Sequence, residues 1–145
     1  WGIPGRKRAQ IEAFAAAASG LGLAKVQVEY VPAPTTLKSG REALARLLAQ
    51  HPAVDAVFCS SDLLALGVLT EVRVRGLSVP AHLAVVGFGD LEFAADVEPA
   101  LTTVHIKGTA IGRRAAQFIV ERAEGREVSE RVIDIGFSIV ERQST

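Results

Sequence analysis

The stretch that decides the fold is VPAHLAVVGFGDLEFAADVEPALTTV, Val79 to Val104. Ala84, Val85 and Val86 are a continuous apolar run without alternation, the pattern of a strand covered on both faces in a parallel sheet. Such a strand implies an α/β domain. Ligands of open α/β sheets bind beyond the carboxyl ends of the strands, and that is where Gly87, Phe88, Gly89 and Asp90 fall. Glycine on each side of Phe88 permits a sharp turn and close approach to a ligand, and Asp90 can accept hydrogen bonds from hydroxyls. The same residues also suit a plain tight turn whose aspartate caps the next helical turn. A dinucleotide fingerprint fits poorly, because GFGDLE has Glu92 at the third glycine position, where a carboxylate would repel a pyrophosphate.

Outward from this stretch, helix and strand patterns alternate. Gly5 to Gly20 carries Ile11, Phe14, Ala15 and Ala18 on one helical face, and Val26, Val28 and Tyr30 alternate as a short strand. A proline-broken loop, VPAPTTLKSG, leads to a helix patterned by Ala43, Leu44, Leu47 and Leu48 and stopped at Pro52. Ala56 to Cys59 reads as a strand, and Ser60, Ser61 and Asp62 come next as a helix start before Leu63 to Arg75, with Gly76 closing it. Ile111 to Glu124 is a further helix with Ile111, Ala115, Phe118 and Ile119 on one face, closed by Gly125. Ile133, Ile135, Phe137 and Ile139 alternate as a last strand. The predicted fold is a mainly parallel sheet flanked by helices, with right-handed crossovers. The first helix has no strand before it, so the chain reads as beginning just after one, and the lack of any methionine reads as a fragment.

The chain has 145 residues, enough for one sizeable core. Lys plus Arg and Asp plus Glu both number 16, so net charge is zero and no basic stripe suits nucleic acid. The one cysteine, Cys59, sits in an apolar strand and suits a reducing compartment, so a cytoplasmic location is expected. No apolar run is long enough to span a membrane, and no membrane partner is expected.

Ser61 and Asp62, like Asp90, lie at a strand's carboxyl end, so two polar tips can converge on one crevice; a helix cap explains Ser61 equally well. No serine sits in a G-x-S-x-G elbow, and His51, His82 and His105 have no acid at a spacing that pairs with them, which leaves no catalytic set. No metal-ligand spacing occurs, and neither metal nor cofactor is expected. Lys107, Arg113 and Arg114 near a helix start read as surface charge.

At these residues the chain resembles the regulatory core of the LacI/GalR family of bacterial transcription repressors. The resemblance rests on D-x-x-A-x-G from Asp62 to Gly67, VP-x-x-x-x-VVGF from Val79 to Phe88, P-x-LTTV from Pro99 to Val104, IG-x-x-A from Ile111 to Ala115, and the closing R-x-S-T from Arg142. GFGD and the APTT loop are most similar to the branch that responds to gluconate and related sugar acids. The resemblance implies the C-terminal lobe of a two-lobed, periplasmic-binding-protein-like fold, spanning residues 1–107. It assigns a helix at 108–127 to an N-terminal lobe, and makes 128–145 a returning C-terminal strand segment. It implies a homodimer that binds a sugar or sugar acid, and meets operator DNA only through an N-terminal helix-turn-helix outside this sequence. Effector contacts carry over to Gln10, Thr35, Ser61, Asp62, Phe88, Gly89 and Asp90, and dimer contacts to Leu63, Leu66 and Val97. Four positions depart from the family pattern. Gln10 stands where an arginine is usual, with Ala13 at the following glycine; Thr35 replaces a frequent aromatic ring; and Gly89 replaces an aspartate, a loss of charge that favours an acidic ligand. Two other functions are consistent with the same fold: a periplasmic sugar-binding protein of a transporter, and an α/β enzyme acting on a sugar acid through Asp90 and Ser61.

Overall fold

The computed structural model describes residues 4–23, 25–126 and 132–145. Its elements are α1 (Pro4–Gly20), α2 (Leu37–Gln50), β1 (Ala56–Phe58), α3 (Asp62–Val74), β2 (Ala84–Gly89), a 3-10 turn (Glu92–Ala95), β3 (Thr102–Ile106), α4 (Gly108–Ala123) and β4 (Phe137–Val140). The strands form one sheet in the order β1-β2-β3-β4. β1, β2 and β3 run parallel, with Phe58 opposite Val86 and Gly89 opposite His105, and β4 returns antiparallel, with Ile139 opposite Val104. The sheet is therefore mixed at its β4 edge.

The core lies between the sheet and the α2–α3 pair. Ala65, Val68, Leu69 and Val72 form one stripe of α3 and meet Val85, Leu83, Leu101 and Cys59. Leu64, Gly67 and Glu71 form a second stripe, and α2 covers it. The two helices cross at glycines: a Cβ on Gly67 would lie 2.9 Å from Gly40 Cα, and one on Gly40 would strike the Leu64 carbonyl. Arg41 of α2 and Arg75 both reach the nearly buried Glu71, at 3.1 and 2.9 Å. Much of the apolar surface that the sequence pattern leaves over on α3 is thus satisfied inside the chain, while Leu63 and Leu66 stay half-buried. α2 begins earlier than its apolar pattern indicates, because Thr36 and Ser39 form a reciprocal capping box.

Three expectations change. Val26 to Tyr30 forms no strand; alternation alone does not make one without a hydrogen-bonded neighbour, and among the described residues β1 pairs only with β2. Tyr30 is correspondingly 76% exposed. Second, β1 and β2 are not covered on both faces. Val85 is fully buried against the helices, but Ala84, Val86 and Phe88 on the opposite face are half-buried and Phe58 is 36% exposed. Third, the last strand is confined to Phe137–Val140; Ile133 and Ile135 lie outside it, and residues 128–131 of the expected returning segment fall outside the described residues.

The RQST ending is built into the sheet rather than trailing from it. Ser144 has no exposed surface, donates from Oγ to the Val85 carbonyl at 2.6 Å and accepts from the Thr102 amide at 2.8 Å, while its own carbonyl accepts from the Val85 amide at 2.8 Å. It occupies the gap between β2 and the approach to β3. α4 stands apart from this packing and buries none of its residues.

Candidate functional site

The carboxyl ends of β1 and β2 are neighbours in the sheet, so Phe58 to Ser61 and Phe88 to Asp90 share one edge. Ser61 begins α3 as its N-cap, accepting from the Leu64 amide through Oγ at 3.3 Å, so its hydroxyl is committed to the helix and only half-buried. Asp62 lies behind this edge rather than on it. It has no exposed surface, and Thr103 Oγ1 donates to its Oδ1 at 2.5 Å while the Leu91 amide donates to Oδ2 at 2.7 Å. In this conformation it ties α3, the turn after β2 and β3 together, and presents no oxygen to a ligand. Its carboxylate also dictates Gly87, since a Cβ there would run into Asp62 Oδ1 and lie 2.9 Å from Leu101 Cδ2. Cys59, buried just before, has its thiol pushed up to about 12 by burial and then by the Asp62 charge, so it is not a nucleophile at neutral pH.

The turn itself has an unusual backbone. Gly89 takes φ +132, which L residues rarely adopt, and Asp90 takes φ +53. An aspartate at position 89 would thus be strained as well as close to Asp62, since a Cβ there lies 3.6 Å from Asp62 Oδ2. Gly89 has a geometric reason beyond charge.

Asp90 carries the electrostatics of the edge. Arg142 Nη2 donates to its Oδ1 at 2.8 Å, and His105 Nδ1 meets its Oδ2 at 2.9 Å. The Arg142 guanidinium is the main reason the Asp90 carboxyl lies below its usual range; partial burial opposes it and His105 adds to it. Arg142 also donates to the Leu101 carbonyl at 2.8 Å, so it is fixed at both ends of its fork. Sequence reasoning gave His105 no acid and gave Arg142 no role. His105 stands directly across the β2–β3 register from Gly89, and Arg142 lies 52 residues from Asp90; the only signal for the latter was the R-x-S-T ending itself.

Aromatic rings extend the edge on the open face of the sheet. Phe14 of α1 stacks on Phe58 at 5.5 Å, and Phe58 meets Phe88 edge to face at 6.5 Å. Gln10 lies one helical turn before Phe14 on the same side of α1 and is exposed. Thr35 is half-buried in the loop before α2. The structure therefore brings Ser61, Phe88, Gly89 and Asp90 to one edge, puts Asp62 beneath it, and joins Gln10 to it through the helix that carries Phe14; nothing in the contacts links Thr35 to these residues.

Polar tips and aromatic rings thus meet at the carboxyl edge of an open α/β sheet, the place where ligands of such sheets generally bind. The chain belongs to the periplasmic binding protein-like domain family, whose profile matches residues 5–145, and its relatives are transcription regulators of the LacI/GalR type. It is 40% identical over 114 residues to the HTH-type transcriptional regulator GntR of Pseudomonas aeruginosa, an alignment covering 79% of this chain and 33% of that protein. Against the HTH-type transcriptional repressor PurR of Vibrio cholerae it is 31% identical over 99 residues, covering 68% of this chain and 30% of the repressor. The crystal structure of the transcription regulator GntR from Chromobacterium violaceum superposes with a TM-score of 0.88 at 34% identity, covering 98% of this chain and 53% of that one. The chain thus spans about a third of the curated relatives' length. These relatives are regulators rather than enzymes, and neither transport nor catalysis is favoured by them.

Proposed function

We propose that this chain is the effector-binding and dimerising part of a cytoplasmic LacI/GalR-type regulator that senses a sugar or sugar acid, with gluconate the first candidate, and thereby controls DNA binding by an N-terminal helix-turn-helix. The observation that carries the reading is the turn at Gly89–Asp90. It stands at the carboxyl edge of the sheet, and where the wider family has an aspartate this chain has a glycine in a conformation that disfavours one. With Asp90 already held by a guanidinium and an imidazole, the edge is less negative than two free carboxylates would make it, which suits an anionic polyol. The higher identity to GntR than to PurR supports the same ligand class.

The two-lobe arrangement belongs to this proposal. It assigns residues 1–107 to one lobe and α4, within 108–127, to a second lobe against which the helix packs. Its support is that Ile111, Ile119 and Val120 of α4 are 45%, 72% and 50% exposed, an apolar surface that a helix of a finished domain would cover. Leu63, Leu66 and Val97, all half-buried, are the proposed dimer contacts. The effector would act by shifting a population between DNA-competent and incompetent arrangements of the lobes.

Calorimetry with gluconate on the full-length protein tests the ligand assignment. Binding to the wild type, weakened by about 1–3 kcal/mol in Asp90→Ala, is the expected outcome. Tight binding of a nucleobase with none of gluconate would defeat it.

A further inference from the structure

Asp90 is bound from two directions, by one residue in the strand that leads to α4 and one just after the strand that returns from it. His105 is in β3, which runs directly into α4 at Gly108. Arg142 follows β4, which comes back after α4 and pairs antiparallel with β3, Ser138 opposite His105. Each partner takes a different oxygen of the Asp90 carboxylate, at 2.8 Å from Arg142 Nη2 and 2.9 Å from His105 Nδ1. Arg142 and Asp90 are both mostly buried, with side chains 19% and 18% exposed, which keeps this ion pair out of the high-dielectric regime in which surface pairs contribute little. The backbone at Asp90 is left-handed without being glycine, and such a conformation persists where its surroundings over-determine it. Here the surroundings are the Arg142 and His105 contacts on one side and, on the other, the Leu91–Asp62 hydrogen bond and the long donation of the Asp90 amide to Thr103 Oγ1 at 3.4 Å.

We propose that Arg142 and His105 are positioning residues of the effector site: through Asp90 they hold the Gly89–Leu91 turn, and so link that turn mechanically to the two strands by which the chain passes between this sheet and α4. The proposal rests on the reading of this edge as the effector site. A ligand that engages the turn then pulls on the carboxylate from which both strands are hung. The turn and the crossing respond together because they share one ion-paired hub, with no need for a continuous path through the core.

Amide hydrogen exchange on the full chain tests this without a ligand. Arg142→Gln should speed exchange at Asp90 and Leu91 by about tenfold, the loss expected for one hydrogen bond to a charged group, while the α3 core amides from Val68 to Val72 keep their protection. Asp90→Asn should loosen the turn to a similar degree, and adding Arg142→Gln to it should loosen the turn no further, because the arginine acts there through Asp90. Arg142→Lys, which keeps the charge with fewer donors, should fall between wild type and Arg142→Gln at the turn. An unchanged turn in Arg142→Gln, or additive loosening in the double variant, overturns the proposal. If Arg142→Gln loosens α3 as well, Arg142→Lys decides: an intermediate turn with α3 intact supports the linkage, and a wild-type turn or joint loosening overturns it. Calorimetry with gluconate adds a separate arm, in which Arg142→Gln weakens binding by about fivefold or more. If wild type does not bind gluconate, the effector assignment fails, while the exchange data still decide whether Arg142 holds the turn.

Discussion

Asp62→Ala should destabilise the protein more than any other single change at the site, because the carboxylate is fully buried and serves two donors that have no alternative partner among the described contacts. Deleting it strands the Thr103 hydroxyl and the Leu91 amide, each worth about 1–3 kcal/mol when left unsatisfied, or about 2–6 kcal/mol together. Asp62→Asn should cost less, about 1–3 kcal/mol, since its oxygen still accepts from the Leu91 amide and its amide can donate to Thr103 Oγ1, which leaves only the Thr103 hydroxyl proton without an acceptor. Gly87 provides the internal control. Gly87→Ala alone should cost about 1–3 kcal/mol through the clash with Asp62 Oδ1 and Leu101 Cδ2. Part of that clash disappears in an Asp62→Ala background, so a double-mutant cycle should show coupling of about 1 kcal/mol or more. Urea unfolding of the wild type and these variants, followed by circular dichroism, measures all of these. Equal losses for Asp62→Ala and Asp62→Asn, or strict additivity with Gly87→Ala, would refute the account of Asp62 as the buried tie.

Three other outcomes are expected from the packing. Glu71 has its carboxyl lowered chiefly by Arg75, with burial opposing and Arg41 assisting, so its contribution is fully present above the ordinary carboxylate range and is lost as pH falls through the lowered value; Glu71→Gln should flatten that acid-side loss in a stability–pH profile. Cys59 should resist a thiol reagent at pH 8 in the native protein and react only at the rate of unfolding, whereas rapid native-state labelling would contradict its burial. Leu66→Glu should give monomers in sedimentation velocity if the half-buried stripe of α3 is the dimer contact, and a variant that stays dimeric places that contact elsewhere.

The features legible in the chain were local. Ser61 before Asp62 and Leu63 announces a helix because a cap acts within three residues, and α3 starts there as expected. The run Ala84–Val86 announced β2, and the glycines after it announced the turn. The features that stayed hidden depend on partners far along the chain. Alternation at Val26, Val28 and Tyr30 says which way side chains would point, but whether a strand forms depends on a neighbour, and none is paired there. The stripe of α3 at Leu64, Gly67 and Glu71 could not be matched to α2 from pattern alone, because Gly40 and Gly67 are 27 residues apart and allow the close crossing only together. Asp62 was legible as important and illegible as buried, since its burial depends on Thr103 and Leu91 arriving from two other segments. The ion-paired hub at Asp90 joins three elements by the same kind of distant meeting, so the site's geometry lay outside what any local pattern encodes.

A crystal structure of the full-length protein with gluconate tests the central claim most directly. The account predicts gluconate at the carboxyl edge of β1 and β2, in contact with Phe88 and Asp90, with Asp62 still buried on Thr103 and Leu91 and with α4 packed on a second lobe. Gluconate bound away from this edge, or α4 packed along its apolar face against β1 and β2, would contradict it.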